Sequence, residues 1–365
     1  GARGAAEAAL LEDLVPRRAL LPLLLQSTTR NGLAAGRGLL PHLRAATLRE
    51  ELRANRFRQL AADVLTLLQQ AGTEPTLVRG AALAATVYPA WGLRHCHDLD
   101  LLVRPAALDV AVRALIGVGS VALAAPPRAP GSVLLRHPSA LQVALHSRPF
   151  GVPYYGVSVE RFSRDQQPLA VDAVRAWGLS SAANVVHVLG HASTSASRDN
   201  LRWVADVWHL LAAHPGLDWE GVIALLEAAR LTLPVFVLLA YVAQLGMPVP
   251  ADVLARLAAH AARAPRAAEE VALGAAHASA RGRLRNLWLS TPSWRARARI
   301  ARWLVAPSVD YMRSAYPVPS AWLLPLRYVH RPARSLVWKL TARPGAAAAR
   351  VTAAALRPSR LPRDH

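Results

Sequence analysis

Two aspartates separated by a single residue are the side chains of this 365-residue chain best suited to chemistry. Asp98 and Asp100 stand in the run Asp-Leu-Asp-Leu-Leu-Val, which predicts a strand over residues 99–103. In a strand, side chains two positions apart share a face, so both carboxylates point the same way while Leu99 and Leu101 enter the core. Crowded carboxylates call for a neutralising cation, and hard oxygen ligands suit Mg²⁺ with bound phosphate oxygens. The pair therefore predicts a metal site, with a solvated Asp pair at a strand end as the alternative.

The residues before this pair supply groups that suit a phosphate. Residues 76–79 predict a short strand, and Gly80 then opens a helical stretch over residues 81–87. Because glycine has no side chain, backbone N–H groups and the helix N-terminus can approach a phosphate closely at such a turn. Arg94 lies between this turn and the aspartate pair, and guanidinium geometry suits phosphate oxygens. The alternative for Arg94 is a surface arginine that pairs with one of the two aspartates.

Alternating strands and helices are predicted to position these groups. Residues 42–71 carry apolar residues at three- and four-residue intervals, which predicts one or two helices that Gly72 ends. A helix over residues 106–116 follows the aspartate strand. Residues 132–136 and 140–146 then predict a hairpin that could join the same sheet.

The next hundred residues are predicted to be helical, because apolar residues recur at helical spacing over residues 170–262. Residues 231–251 carry no charge and are long enough to span a bilayer. Pro234 and Pro248 interrupt this stretch and favour a buried helix followed by a turn.

The motif over residues 77–103, LVRGAALAATVYPAWGLRHCHDLDLLV, resembles a known family. It is similar to the nucleotidyltransferase superfamily that includes DNA polymerase beta, and within it to a bacterial branch of uncharacterised nucleotidyltransferases. The likeness extends more weakly over residues 45–255. The resemblance implies a five-stranded mixed sheet flanked by helices and a helical companion domain. It also implies transfer of a nucleoside monophosphate from an NTP, with two divalent ions.

The resemblance also implies a role for each motif residue. Arg79, Gly80, Ala81 and Arg94 would bind the nucleotide, with Gly80 and Ala81 holding the triphosphate. Asp98 and Asp100 would be catalytic and would hold two Mg²⁺ or Mn²⁺ ions, which in two-metal chemistry lie about 3.5–4 Å apart.

Two positions depart from the family pattern. Arg79 stands where the family usually has lysine, and Ala144 stands where this branch tends to carry an acidic residue directly before Leu-His. The usual base for the acceptor hydroxyl is therefore missing. His146 lies two residues further along the same strand face, as a substitute catalytic base or as a packing or hydrogen-bonding residue.

Three weaker signals lie beside the motif. His187 and His191 are spaced i, i+4 and would suit zinc with further ligands, but no adjacent Glu or Cys completes a site, which favours a structural role. Asp206 could orient His191, touch nucleotide or form a structural pair. Cys96 is predicted to be a small buried residue rather than a nucleophile.

The charge of the chain is concentrated at one end. The formal net charge is +20, of which +15 falls in residues 281–365, and Lys339 is the only lysine among 43 basic residues. Arginines interleaved with Trp288, Trp294 and Trp303 could contact nucleic acid, a membrane surface or an acidic peptide, or form a solvated helical face. A single cysteine gives no disulfide, so a cytoplasmic location is expected.

Together these observations predict an α+β protein with a polymerase beta-like nucleotidyltransferase core. The predicted regions are an N-terminal helical region (1–74), the core (75–168), a helical domain (169–262) and an Arg/Trp-rich C-terminal region (263–365). The predicted enzyme moves NMP, AMP from ATP in the first instance, to a hydroxyl or phosphate. Relatives in lasso peptide and capsule gene clusters imply a peptide natural product or small metabolite as acceptor. The alternatives are a catalytically impaired NTP-binding protein, or a basic binding module for peptide, RNA or membrane.

Overall fold

The computed structural model describes residues 19–32, 38–123, 131–150, 157–194, 201–263 and 294–306, together with the single residues 309, 312, 323, 325, 326 and 328. The chain forms two units, Gly1–Thr291 and Pro292–His365. The aspartate pair lies in the first unit.

Among the described residues, two helices precede the sheet. Helix α1 spans Leu21–Arg30 and helix α2 spans Leu39–Gln70. One continuous helix of 32 residues thus covers the region predicted as one or two helices. Gly72 follows it at φ +73°, a left-handed conformation that glycine adopts at little cost and that commonly ends a helix.

The sheet is mixed, as predicted. Its described strands are β1 (Thr76–Val78), β2 (Asp98–Leu102), β3 (Val121–Ala122), β4 (Ser132–Arg136), β5 (Gln142–His146), β6 (Gln167–Val171) and β7 (Val174–Gly178). They lie in the order β3-β4-β5-β2-β1-β7-β6. Strands β2 and β5 are parallel, as are β1 and β7, and the other neighbouring strands are antiparallel. The predicted β4–β5 hairpin is confirmed.

The second hairpin, β6–β7, corrects two expectations. The resemblance implied five strands, whereas the described residues form seven, with this hairpin at one edge of the sheet and the two-residue β3 at the other. The helical prediction from residue 170 is wrong for residues 170–178, since helix α6 begins only at Ser181. Asp172 turns the hairpin at φ +52°, a conformation in which aspartate is tolerated better than most residues.

Helices cover both faces of the sheet, which confirms the α+β class. They are α3 (Arg79–Thr86), α4 (Leu108–Gly117), α5 (Val159–Phe162), α6 (Ser181–Thr194), α7 (Arg202–Ala213), α8 (Trp219–Ala229), α9 (Thr232–Gln244) and α10 (Ala251–Arg263), with 3-10 turns at Trp91–Leu93 and Pro105–Ala107. The uncharged stretch 231–251 forms the buried helix α9 and a following turn, as predicted. Among the described residues, no helix combines the length and apolar character needed to cross a membrane.

The two faces of the sheet pack in different cores. Leu99 and Leu101 belong to a core that includes Leu60, Val64 and Leu68 of α2 and Leu115 of α4. Val78 and Leu102 point to the other face and join a larger core formed with helices α6 to α10. Because alternate residues of β2 face opposite ways, Asp98 and Asp100 lie on the side of the helical layer.

The second unit contains helix α11 (Trp294–Val305). Its Trp294 is 73% exposed, and the guanidinium of Arg295 lies 5.7 Å from the centre of the Trp294 rings. The predicted Arg/Trp cluster also includes Arg281, Arg283, Arg285 and Trp288, which lie outside the described residues.

Candidate active site

A cleft beside β2 brings the predicted site residues together. Asp98 and Asp100 line it with Arg79, Gly80 and Arg94 from the sequence motif. Further lining comes from the loop before β2 and from helices α6 and α7, namely His95, Cys96, His97, His187, Val188, His191, Ala192, Arg202, Trp203 and Asp206. Ala81 is fully buried behind Gly80 in the first turn of α3.

Gly80 allows neighbouring side chains to approach the turn closely. A Cβ at this position would lie 3.1 Å from Cys96 Sγ and 3.4 Å from Arg94 Nη1. Helix α3 has no side-chain cap at its N-terminus, so its first N–H groups keep their capacity to bind an oxygen. Gly80 therefore also has a packing role, in addition to the close approach of a phosphate that the sequence predicts.

Asp100 is held by two donors on one oxygen. Its Oδ1 accepts from Arg79 Nη1 at 2.8 Å and from His146 Nε2 at 2.8 Å, and its side chain is only 4% exposed. Burial would raise the pKa of this carboxyl, but the Arg79 charge and the His146 hydrogen bond outweigh burial and hold the pKa well below its usual range. These two contacts therefore favour the ionised form of Asp100.

His146 of strand β5 contacts Asp100 of the neighbouring strand β2. Ala144 is fully buried and pairs in register with Asp100, so the two share a face. His146 Nδ1 lies 3.1 Å from the Ser132 hydroxyl, while Nε2 faces Asp100. Since each ring nitrogen has a partner, this geometry favours the hydrogen-bonding alternative for His146 over the catalytic base.

Arg94 forms a buried ion pair with Asp206 of α7. Arg94 Nε donates to Oδ1 at 2.6 Å and Nη2 to Oδ2 at 2.8 Å, and Tyr88 donates its hydroxyl to Oδ1 at 2.7 Å. Burial would lower the pKa of Arg94, but Asp206 outweighs burial and raises it. The structural pairing predicted as one role of Asp206 is confirmed. The alternative of a surface Arg94 is wrong, because its side chain is 13% exposed.

Helix α2 anchors the loop that precedes Asp98. Glu50 is buried and contacts His95 Nδ1 at 2.6 Å, and Arg53 Nε donates to the Cys96 carbonyl at 2.8 Å. His95 Nε2 lies 3.3 Å from His97 Nδ1. Sequence reasoning missed Glu50 and Arg53, whose one signal is their i, i+3 spacing on one face of α2.

Cys96 and His187, two residues with weaker sequence signals, have structural roles. Cys96 is buried, and burial raises the pKa of its thiol to about 12, which suits the predicted small buried residue. His187 donates Nε2–H to the Pro149 carbonyl at 2.9 Å, with Phe150 and Phe162 against its ring. Burial, with Arg79 next, lowers the pKa of His187 to about 3. The structural role predicted for His187 is confirmed.

Arg202 and Trp203, at the start of α7, complete the cleft. Burial and the nearby Arg94 charge lower the pKa of Arg202. The sequence motif gave no role to either residue, since both lie about a hundred positions beyond the aspartates and only the fold brings them near.

The comparisons with known proteins address the identity of this cleft. The sequence profile of a family of uncharacterised nucleotidyltransferases matches residues 5–246, which is more than half of the chain and includes every cleft residue named above. The chain belongs to this nucleotidyltransferase family. No curated protein matches it.

The family resemblance implies two divalent ions, and the carboxylates of Asp98 and Asp100 are the cleft groups that would hold them. Within the part of the chain that the structure describes, no three His, Cys, Asp or Glu side chains are grouped to hold a metal ion. Two carboxylates together with phosphate oxygens would still suit Mg²⁺, which prefers hard oxygen ligands.

Proposed function

We propose that this nucleotidyltransferase family member transfers a nucleoside monophosphate, AMP from ATP in the first instance, to a hydroxyl or phosphate of a peptide natural product or small metabolite. The observation that carries the proposal is the meeting of Asp98, Asp100 and Gly80 in one cleft, at the uncapped N-terminus of α3. The acceptor class rests on the family resemblance.

The reaction forms a bond between an acceptor oxygen and the α-phosphorus and breaks the bond between that phosphorus and the oxygen bridging to the β-phosphorus. Pyrophosphate leaves, and where the acceptor is a hydroxyl its proton passes to solvent. A divalent ion on Asp98 and Asp100 would supply Lewis-acid stabilisation of the phosphate oxygens. An ion held by these two carboxylates would bring the α-phosphate of the NTP close to them.

The chain's own groups bind the rest of the triphosphate in this proposal. The first N–H groups of α3, at Gly80 and Ala81, face the phosphates as a helix N-terminus favours. Arg94 is held by Asp206 through two hydrogen bonds. Arg202 lines the same cleft, and we assign phosphate contact to its guanidinium. Arg94 then contributes by fixing the loop beside Gly80.

The decisive test compares wild type with Asp98→Ala and Asp100→Ala, using labelled NTPs with Mg²⁺ or Mn²⁺. Loss of metal ligands is expected to lower label transfer or pyrophosphate release at least about 100-fold. Glu220→Ala is the matched control, since it removes a carboxylate from an exposed pair with Arg256 away from the cleft. Equal NTP turnover by wild type and both aspartate variants would disprove the proposed activity.

A second candidate is an NTP-binding protein whose catalysis is impaired, and Ala144 is the observation that favours it. Ala144 lies beside Asp100 where a third carboxylate would share the same face. Ala144→Asp discriminates the two candidates. A large gain in turnover over wild type would support the impaired protein, whereas unchanged turnover would remove Ala144 as evidence for it.

A further inference from the structure

The cleft beside β2 has an apolar side as well as a charged one. Four of its lining residues are aliphatic or aromatic and come from three helices, namely Leu83 of α3, Val188 and Ala192 of α6, and Trp203 of α7. Leu83, Val188 and Ala192 are buried. Val188 and Ala192 are four positions apart, so they lie on one face of α6. The metal and phosphate contacts proposed above give no role to these four residues.

Trp203 is the large aromatic side chain of this apolar side, and contacts from outside the cleft hold it in place. It is half-buried and packs against the core formed by helices α6 to α10. The centre of its rings lies 6.0 Å from that of Tyr241 on α9, which is not among the described residues that line the cleft. A tryptophan already held by such packing loses little further freedom when a flat ligand binds to its face.

The position of Trp203 beside Arg202 matches the two ends of a nucleotide. Both residues line the cleft, and they are consecutive at the start of α7, so their Cα atoms are about 3.8 Å apart. A ligand whose phosphates reach Arg202 therefore brings its neighbouring part close to Trp203. In an NTP that neighbouring part is a flat aromatic base, which the ribose joins to the phosphates.

We propose that Trp203 stacks on the nucleobase of the NTP, with Val188 and Ala192 completing the apolar surface against which the base lies. Every base has a π-face that an aromatic side chain can cover, and such stacking adds affinity. The inference rests on the proposed nucleotidyl transfer for the presence of an NTP in this cleft. It deepens that proposal by naming the residue that holds the base.

The test compares Trp203→Leu with Trp203→Phe in the full chain. Both replacements keep an apolar side chain that can pack on the core, but only phenylalanine keeps a π-face. Isothermal titration calorimetry measures the dissociation constant of adenosine 5′-(α,β-methylene)triphosphate in the presence of Mg²⁺. Trp203→Leu is expected to weaken binding about 10-fold, and Trp203→Phe by no more than about 3-fold. Equal affinity in wild type and Trp203→Leu would overturn the inference, and so would equal losses in the two variants.

Two controls separate stacking from a general effect on the fold. Trp208→Leu removes a tryptophan from the same helix that is 50% exposed and is not among the described residues lining the cleft, so it should bind the analogue as wild type does. Inorganic tripolyphosphate has the phosphates but no base. Competition against the analogue should give it the same affinity for wild type and for Trp203→Leu. A 10-fold loss in either control would reject stacking as the cause.

Label transfer from NTP, measured on the same samples, distinguishes failure of this inference from failure of the proposed function. Transfer by wild type together with unchanged nucleotide affinity in Trp203→Leu would reject the stacking and leave the proposed function standing. A 10-fold loss of affinity in Trp203→Leu, without transfer by wild type, would retain the stacking and reject the proposed transfer.

Discussion

Two buried aspartates in this protein are each held by an arginine and a second donor, yet they use their oxygens differently. Asp206 engages both oxygens with Arg94 and adds Tyr88. Asp100 receives Arg79 and His146 on Oδ1 alone. The Asp206 cluster is thus satisfied internally and acts as a structural link, whereas the Asp100 cluster keeps one oxygen for a ligand.

The clusters also differ in what they join. The Asp206 cluster ties the loop before β2 to helix α7, across 112 residues of sequence. The Asp100 cluster joins neighbouring strands of one sheet through Arg79, Asp100 and His146. Loss of the first should therefore loosen the helical layer from the sheet, while loss of the second should mainly alter the cleft.

The largest expected effect is on stability, in Asp206→Ala. Removing this carboxylate leaves the buried Arg94 charge without its partner, which costs about 3–5 kcal/mol of unfolding free energy. Urea denaturation followed by circular dichroism measures the loss. Asp100→Ala should lose less, since its partner Arg79 is 23% exposed and can be partly hydrated, against 13% for Arg94. Equal losses in the two variants would contradict the distinction between the clusters.

The next effect is a pH dependence of the unfolding free energy that arises at His187, a residue of neither cluster. Among the described residues, no acidic side chain forms an ion pair with the buried His187, although Arg79, Asp100 and His146 act on it electrostatically. Its pKa of about 3 in the folded protein lies below the unfolded value of about 6.5, so the unfolded chain takes up the proton first as pH falls. The stability contribution is complete above about pH 6.5 and is lost towards pH 3.

The loss from this one histidine between pH 7 and pH 5 is about 2 kcal/mol. His187→Gln can keep the hydrogen bond to the Pro149 carbonyl but cannot titrate, so its stability should change less over that interval. Urea midpoints at the two pH values measure the difference. If wild type and His187→Gln lose the same stability between the two pH values, the acid sensitivity comes from groups other than His187.

The smallest effect separates the parts of the Asp206 cluster. Tyr88→Phe removes one hydrogen bond to Asp206 and leaves both Arg94 contacts in place. A loss of about 1 kcal/mol in unfolding free energy is expected. A loss as large as that of Asp206→Ala would show that Tyr88, and not the ion pair, holds the cluster together.

The features of the site that follow from local spacing could be predicted from sequence. The shared face of Asp98 and Asp100 and the β4–β5 hairpin depend on the two-residue period of a strand. The pairing of Arg94 with Asp206 and the anchoring of His95 by Glu50 could not be predicted, because these partners are 112 and 45 residues apart. Only the packing of helices on the sheet brings them into contact.

The second hairpin shows a different limit. Strands β6 and β7 are five residues each and directly precede a long helical stretch, so their apolar residues merged with the helical spacing that follows. Leu48 and Leu52 show the same ambiguity in helix α2. They fit its apolar spacing, yet they are 58% and 60% exposed, and the buried face is formed by other residues such as Leu43, Phe57 and Leu65.

Glu50 and Arg53 of helix α2 hold the loop before Asp98. A fragment of the protein that keeps the cleft intact must therefore include helix α2. A shortened form beginning at β1 would contain the whole motif of residues 77–103 and both aspartates. It would nevertheless leave His95 and the Cys96 carbonyl without their partners, with the buried face of the sheet uncovered. Any effort to isolate, transplant or redesign this site must therefore carry helix α2 along with the strands.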